Sequence, residues 1–294
     1  MSNATPRMFS LGDATIAIIN AGDMMVDMAE ELNAPESEWR PLYGSVFEGS
    51  RPFPSQSVHI ALPGASILVD ANDYPLAIAL EPSFLPPDYT PPPGIIEQLA
   101  TIGVRPADIT HLVITHAHFD HYIGTTIEHD GKYLPRFPNA HVYLGRADWE
   151  DPQTQEELRN PASIDSRTFG VLNRLGMLEL VEGNRDLLPG VRIIAAPGES
   201  PGHQIVRVHL HGQTLYCLGD LFHHPSEVEH PAWMVKWANA SANLASRRAL
   251  IEAALQEDAI LIAAHMPPGR LEGTLSNPRW TPLMETNNSM QPPS

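Results

Sequence analysis

The sequence is poor in cysteine, in cationic side chains and in long apolar runs, and each shortage removes a class of protein. Cys217 is the one cysteine in 294 residues. An internal disulfide framework and a thiolate-rich zinc cluster are therefore excluded. A lone thiol is compatible with a reducing compartment, and a cytoplasmic protein is expected. Lys and Arg total 18 against 35 Asp and Glu, a formal net charge of −17 with histidine neutral. So acidic a surface disfavours nucleic acid and anionic membrane as partners, though it does not set the sign at an active site. No apolar stretch reaches the roughly 18–20 residues that a membrane-crossing helix needs. Met1–Ser10 lacks a basic segment followed by an apolar run, so no signal peptide is expected. Apolar residues nevertheless make up 43% of the chain, enough for a substantial core, and a single domain over 1–294 is expected.

What the chain does have is histidine, 14 residues, unevenly placed. Thr115-His116-Ala117-His118-Phe119-Asp120-His121 concentrates three of them and an aspartate. The preceding His111-Leu112-Val113-Ile114 is short, β-branched and apolar, and predicts a buried strand ending at Thr115. The polar cluster thus leaves the carboxyl end of a strand, where open α/β sheets place their sites. Neutral imidazole and carboxylate are ligands for zinc, iron and manganese, and a tight turn would bring them together.

Around the cluster the pattern is that of an α/β protein. Strands are predicted at 15–20, 58–62, 66–70, 140–144, 191–195, 204–210, 214–218 and 259–263, the last taken as the final strand. Helical spacing covers 94–102, 146–150, 166–176 and 242–256, with Gly176 closing its helix. Residues 24–56 look irregular, with Met24, Met25, Trp39, Tyr43, Phe47 and Phe53 scattered among prolines and acids. Such a connection (22–56 in the domain division) is expected to be a lid or an interface arm, in the second case between the two chains of a homodimer. The proline run 82–93 excludes regular structure. The tail beyond His265 is too short for another domain.

Further metal-ligand candidates stand next to strands in tight turns. Pro201-Gly202-His203 follows the strand at 191–195. Gly219-Asp220 follows the strand at 214–218. Ala264-His265 follows the strand at 259–263. In order and position these residues, with the first cluster, closely resemble the metallo-β-lactamase superfamily and its His-x-His-x-Asp-His signature, over about 58–267. The resemblance implies an α/β, four-layered αββα sandwich with two divalent metal ions at one edge of its sheets. It implies that His116, His118 and His203 hold the first ion, that Asp120, His121 and His265 hold the second, and that Asp220 bridges them. Zinc is the first choice, with iron, manganese and cobalt also compatible. A water between two such ions is deprotonated near neutral pH and attacks a carbonyl or phosphoryl centre, with Asp120 accepting its hydrogen bond.

Within the superfamily the chain resembles the N-acyl-homoserine lactone lactonases and the methyl-parathion-hydrolase-like branch. Class B β-lactamases with this pattern usually lack an aspartate bridge or place cysteine at the Asp220 position. Glyoxalase II-like thioesterases carry a helical domain that the stretch after His265 cannot supply. RNA-processing relatives need a basic surface. The lactonases commonly set a tyrosine three residues after the bridging aspartate, whereas this chain has His223, which can donate a hydrogen bond there. The expected activity is a metal-dependent hydrolase opening a lactone or cleaving a related small-molecule ester. Organophosphate triester hydrolysis is the alternative within the enzymes, and a non-catalytic metal-binding sensor the alternative outside them. Phe119, Tyr122, Trp149, Phe222 and Trp233, near the motif segments, are candidates for an apolar substrate wall.

Overall fold

The computed structural model describes residues 5–73 and 91–283. Most of the proline run at 82–93 falls outside the described residues. The first sheet opens with β1 (Arg7–Leu11), β2 (Ala14–Val26), β3 (Arg51–Leu62), β4 (Ala65–Val69) and β5 (His111–Val113). After a separate hairpin of β6 (Thr126–His129) and β7 (Lys132–Pro135), it is completed by β8 (His141–Gly145) and β9 (Leu178–Val181). The second sheet then runs through β10 (Arg185–Leu188), β11 (Val191–Ala195), β12 (Gln204–Leu210), β13 (Gln213–Cys217), β14 (Ile260–Ile262), β15 (Gly269–Thr274) and β16 (Asn277–Pro282). Each sheet is seven-stranded and is drawn from one continuous half of the chain.

Side-chain alternation makes three apolar layers from these two sheets. The inner faces meet through Ile16, Ile60, Ile67 and Val113 on one side and Ile193, Val206, Val208 and Leu215 on the other. The outer face of the first sheet, with Leu68, Leu112 and Val142, is covered by Leu99 from the helix Ile95–Thr101 and by Phe169 and Leu172 from the helix Phe169–Arg174. The outer face of the second, with Ile205, Tyr216 and Leu261, is covered by Leu250, Ile251 and Ala254 from the helix Ala240–Glu257. The order is helix, sheet, sheet, helix, the αββα sandwich. Asn239 starts the long helix by accepting a hydrogen bond from the Ala242 N–H, and Asp258 ends it in the left-handed region.

Strand direction explains where chemistry collects. β4, β5 and β8 run parallel, as do β13 and β14, so their carboxyl ends open on one edge. β12 is antiparallel to β13, which brings the start of β12 to that same edge. The two sheets are tied there by Gln204 N–H to Thr115 O at 2.9 Å and Gln56 N–H to Ala264 O at 3.0 Å.

Three sequence expectations need correction. Residues 24–56 are regular: β2 continues to Val26, short and long helices follow at Met28–Glu31 and Glu36–Phe47, and β3 begins at Arg51. A register shift between Asn20 and Asp23 bends β2, and Pro52 and Pro54 sit on the stretch of β3 that extends beyond β4, where missing N–H groups are tolerated. The helix predicted over 166–176 is two short helices, Ile164–Arg167 and Phe169–Arg174, broken at Thr168. Strand 259–263 is not the last, because β15 and β16 form an antiparallel hairpin that extends the second sheet. Pro278 and Pro282 disguise β16 in the sequence but suit an edge strand. The hairpin β6–β7 and the strands β1, β9 and β10 were also not predicted, being short and weakly alternating.

Candidate metal centre

The carboxyl edge gathers Asp70 after β4, the cluster 115–121 after β5, Asp148 after β8, Asp220 after β13 and His265 after β14. His203 arrives just ahead of β12. All the expected ligands except His118 are buried. Their donor atoms form two compact groups, each within 4.8 Å: His116, His118, Glu199 and Asp220 in one, and Asp120, His121 and His265 in the other. Asp220 Oδ2 lies between them, 3.7 Å from His116 Nε2 and 3.3 Å from both His121 Nε2 and His265 Nε2. Asp120 Oδ2 is 3.4 Å from His121 Nε2 and 3.3 Å from His265 Nε2. His203 stands beside the first group, its ring centroid 5.1 Å from that of His116, with Nε2 accepting from the Asp220 N–H at 3.2 Å.

Three of the rings are aimed from behind. His265 Nδ1 donates to Pro54 O at 2.8 Å and His203 Nδ1 to Ala196 O at 3.1 Å, which makes Nε2 the lone-pair nitrogen of each ring. Asp70 faces His121 Nδ1 at 2.9 Å and also accepts from the Thr115 N–H at 2.7 Å and hydroxyl at 2.9 Å. Asp148 accepts from Ala117 N–H, the Ser200 hydroxyl and Gly202 N–H at 2.9, 2.8 and 2.5 Å, and so locks the loop of His116 and His118 to the loop of His203. Glycine is required at two of these approaches. Gly219 has φ +51°, and a Cβ there would sit 2.6 Å from Thr115 Oγ1; a Cβ on Gly145 would overlap the Gly202 carbonyl oxygen.

The residues fit a pair of cations on electrostatic grounds. Burial, with His121 and His118 adding to it, lowers the His116 pKa well below its usual value, and burial lowers that of His203 to about 3. Both imidazoles are thus held in the neutral, ligating form. Burial works against protonation of His121 and His265 too, but Asp220 and Asp120 overrule it and raise both, His265 to about 9. Divalent ions would meet the same demand for positive charge that those protons meet. His121 Nε2 and Asp220 Oδ1 are buried without a hydrogen-bond partner, which is costly unless something else satisfies them.

A cavity of about 840 Å³ opens over the two groups. Met24, Met25, Val26, Met28 and Phe53 contribute an apolar wall, and Asp148, Asp151, Thr154, Glu157 and Asp165 a polar one. No Lys or Arg is among its described lining residues. Of the aromatic candidates, Phe119 and Tyr122 line it. Trp149, Phe222 and Trp233 do not, which corrects their assignment. Phe222 is fully buried under the Arg247 guanidinium, 4.9 Å from its ring; with His223 facing the cavity, the neighbouring side chain faces the core. Trp233 stacks on His230 at 4.0 Å within the apolar cluster of the 24–56 arm, and Trp149 packs on the outer face of the first sheet. His223 lines the cavity, with Nε2 at 3.4 Å from Asp220 Oδ2.

Sequence reasoning missed Glu199, Trp237, Asp70 and Asp148. Asp70 was legible as one more acid at a strand end. Glu199 is flanked by Gly198 and Ser200 and carries no spacing signal. It is buried, and burial raises its pKa to about 7.

Residues 51–265 match the Metallo-beta-lactamase superfamily. An N-acyl homoserine lactonase of Bacillus cereus is 26% identical over 132 residues, 45% of this chain and 46% of that protein. A probable metallo-hydrolase of Mycobacterium tuberculosis is 27% identical over 164 residues, 49% of this chain and 46% of that protein. The alignments thus span about half the length of these relatives. Among solved structures, the hydrolase AbOPH of the beta lactamase superfamily superposes with TM-score 0.79 at 18% identity, covering 98% of this chain and 100% of that one. The dizinc quorum-quenching lactonase AidC gives 0.76 at 19%, covering 96% and 99%. The family match covers most of the chain and ends at His265, so the chain belongs to the metallo-β-lactamase superfamily.

Proposed function

We propose that this protein is a dinuclear metal hydrolase that opens a lactone, with N-acyl-homoserine lactones the first candidates, or cleaves a related ester. The observation that carries the reading is Asp220 Oδ2, within 3.7 Å of nitrogen donors from both groups, where one carboxylate can serve two cations. In this reading His116, His118 and His203 serve one ion, Asp120, His121 and His265 the other, and Asp220 both; zinc is the preferred metal. When bound, such a pair supplies a water that ionises near neutral pH and a Lewis acid for the substrate carbonyl.

The chain's own groups do the rest. Asp120 accepts the hydrogen bond of the attacking oxygen and aims it at the carbonyl carbon. His223 Nε2 lies on the cavity side, placed to donate to the oxygen that gains charge as the acyl–oxygen bond breaks. The wall of Met24, Met25, Val26 and Phe53 receives an apolar acyl chain, which supports a lid role for the 24–56 arm. The absence of Lys and Arg from the described lining favours a neutral substrate over an anionic one.

The lactonases among the relatives support this choice. Phosphotriester hydrolysis is the second reading, favoured by His223 in place of tyrosine and by the aromatic lining of Phe119, Tyr122 and Trp237. A panel of N-acyl-homoserine lactones, aryl esters and aryl phosphotriesters separates the two. Lactone turnover that Asp120→Asn abolishes is the expected result. Activity on triesters alone moves the assignment to the second reading, and a metal-loaded chain inert to the whole panel moves it to a non-catalytic sensor.

A further inference from the structure

We propose that Glu199 is an additional oxygen donor at the first metal position, beside His116, His118 and Asp220. This rests on the dinuclear reading above. The compact group on that side contains Glu199 and not His203: its four donor atoms all lie within 4.8 Å of one another. Glu199 Oε1 is 3.6 Å from His118 Nδ1 and 3.8 Å from His223 Nε2, so it faces the space between the two histidines. No part of the Glu199 side chain is exposed, and Oε2 is buried without a hydrogen-bond partner.

A buried carboxylate without a cation nearby is costly, because its lost hydration has to be replaced by hydrogen bonds or by an opposite charge. The described residues offer no Lys or Arg to Glu199. What they offer is the His223 ring, its Nε2 3.8 Å from Oε1, and the Trp237 indole, whose Nε1–H donates to Oε1 at 2.6 Å. That bond fixes the carboxylate toward the histidines and leaves lone pairs on both oxygens for a metal, as hydrogen bonds from behind commonly do for carboxylate ligands. Trp237 itself is half exposed at the cavity, so its orientation of Glu199 is reached from the substrate side.

An oxygen donor added to a set of imidazoles has two consequences. It raises the coordination number of the first ion, and it favours metals that accept oxygen ligands. It also sets the charges of Asp120, Asp220 and Glu199 against those of two divalent ions, leaving less positive charge to attract an anion than two carboxylates would. This agrees with a cavity that offers an anion no Lys or Arg from its described lining.

The test is metal binding on the full chain, with Glu199→Gln and Trp237→Phe as variants. Zinc affinities of the two positions are measured by chelator competition, and the visible spectrum of the cobalt(II)-substituted protein reports coordination number. The expected result is that one position of E199Q weakens by at least the order of 10- to 100-fold seen when a supporting carboxylate is removed. The cobalt bands of that position should intensify as coordination falls, with W237F moving the same way by less. Unchanged affinities and an unchanged cobalt spectrum in E199Q overturn the proposal while leaving the dinuclear reading intact. Should E199Q not fold, unchanged values in W237F overturn it. A wild-type chain that binds no metal overturns both.

Discussion

Replacing Arg247 with methionine should cost about 3–5 kcal/mol, the range found when one partner of a buried ion pair is removed. Arg247 lies in the helix Ala240–Glu257, and neither it nor Glu227 has any exposed side-chain surface. Its Nη2 meets Glu227 Oε1 at 2.6 Å, Nε donates to Leu221 O at 2.8 Å, and Nη1 reaches Pro231 O at 3.4 Å and Trp233 O. Glu227 Oε2 in turn accepts from the N–H groups of His223 and His224. One guanidinium therefore pins the whole segment 221–233, which begins beside Asp220 and carries His223. Burial pushes the Glu227 carboxyl up, but Arg247 and then His223 outweigh it and hold the group at about 2. Methionine keeps the length of the stem and removes the charge, leaving a buried carboxylate and three carbonyls without their donor. Urea denaturation at pH 7 reads the loss, which would be a large share of a domain's usual total of about 5–15 kcal/mol. The double variant Arg247→Met, Glu227→Leu should recover part of it, since no uncompensated charge remains. A single variant costing less than about 1 kcal/mol would refute the claim that this pair anchors the segment.

Two further outcomes follow from packing and burial. Gly145→Ala should abolish hydrolysis and destabilise by about 1–3 kcal/mol or more, because its Cβ would displace the Gly202 backbone and with it the aim of His203; full activity with an unshifted melting curve would contradict this. His59 is buried against Ser66 Oγ at 2.8 Å, and burial lowers its pKa to about 4. Below its ordinary value near 6.5 the unfolded chain takes up a proton that the fold refuses. Stability is therefore lost as the pH falls from about 6.5 toward 4, by about 3 kcal/mol when complete. His59→Gln keeps a hydrogen-bonding side chain and removes the proton, so its denaturation curves between pH 7 and 4.5 should fall less steeply than those of the parent. Parallel slopes would exclude His59 as the cause.

The elements with strong local signals were legible in the sequence, and so was the superfamily. β5, β11, β12 and β13 are short, largely apolar runs next to turn residues, and the long helix has both alanine content and a capping asparagine. The ligand candidates were legible for the same reason: histidine and aspartate at strand ends need only the strand to be found. What was not legible depended on tertiary context. Pro52 and Pro54, and Pro278 and Pro282, argue against strands until an edge position makes them harmless. Thr168 breaks a helix whose apolar pattern runs straight through it. Trp149, Phe222 and Trp233 are next to site segments in sequence, yet their side chains leave the cavity because neighbouring residues already face it. Asp148 and Arg247 act at long range, through partners that lie 20 or more residues away in most cases, so no local window contains their role.

The contrast between Asp220 and Glu199 shows why reaction class and substrate separate in this fold. Asp220 reaches the centre because β13 runs parallel to β14 and ends at the shared edge, so the strands themselves deliver the residue at this position to that spot. Glu199 reaches it from the turn between β11 and β12, held by Trp237 from a segment that belongs to neither sheet. The apolar wall comes likewise from the bent end of β2 and the start of β3, beyond the strands that form the core. A substitution in the strands would threaten the fold before it altered the chemistry. Substitutions at Met24 or Trp237, which are not buried, change the shape and polarity of the cavity over the two ligand groups at little cost to the sandwich. Selectivity can therefore drift in these positions while the edge that holds Asp120, Asp220 and the histidines stays constant.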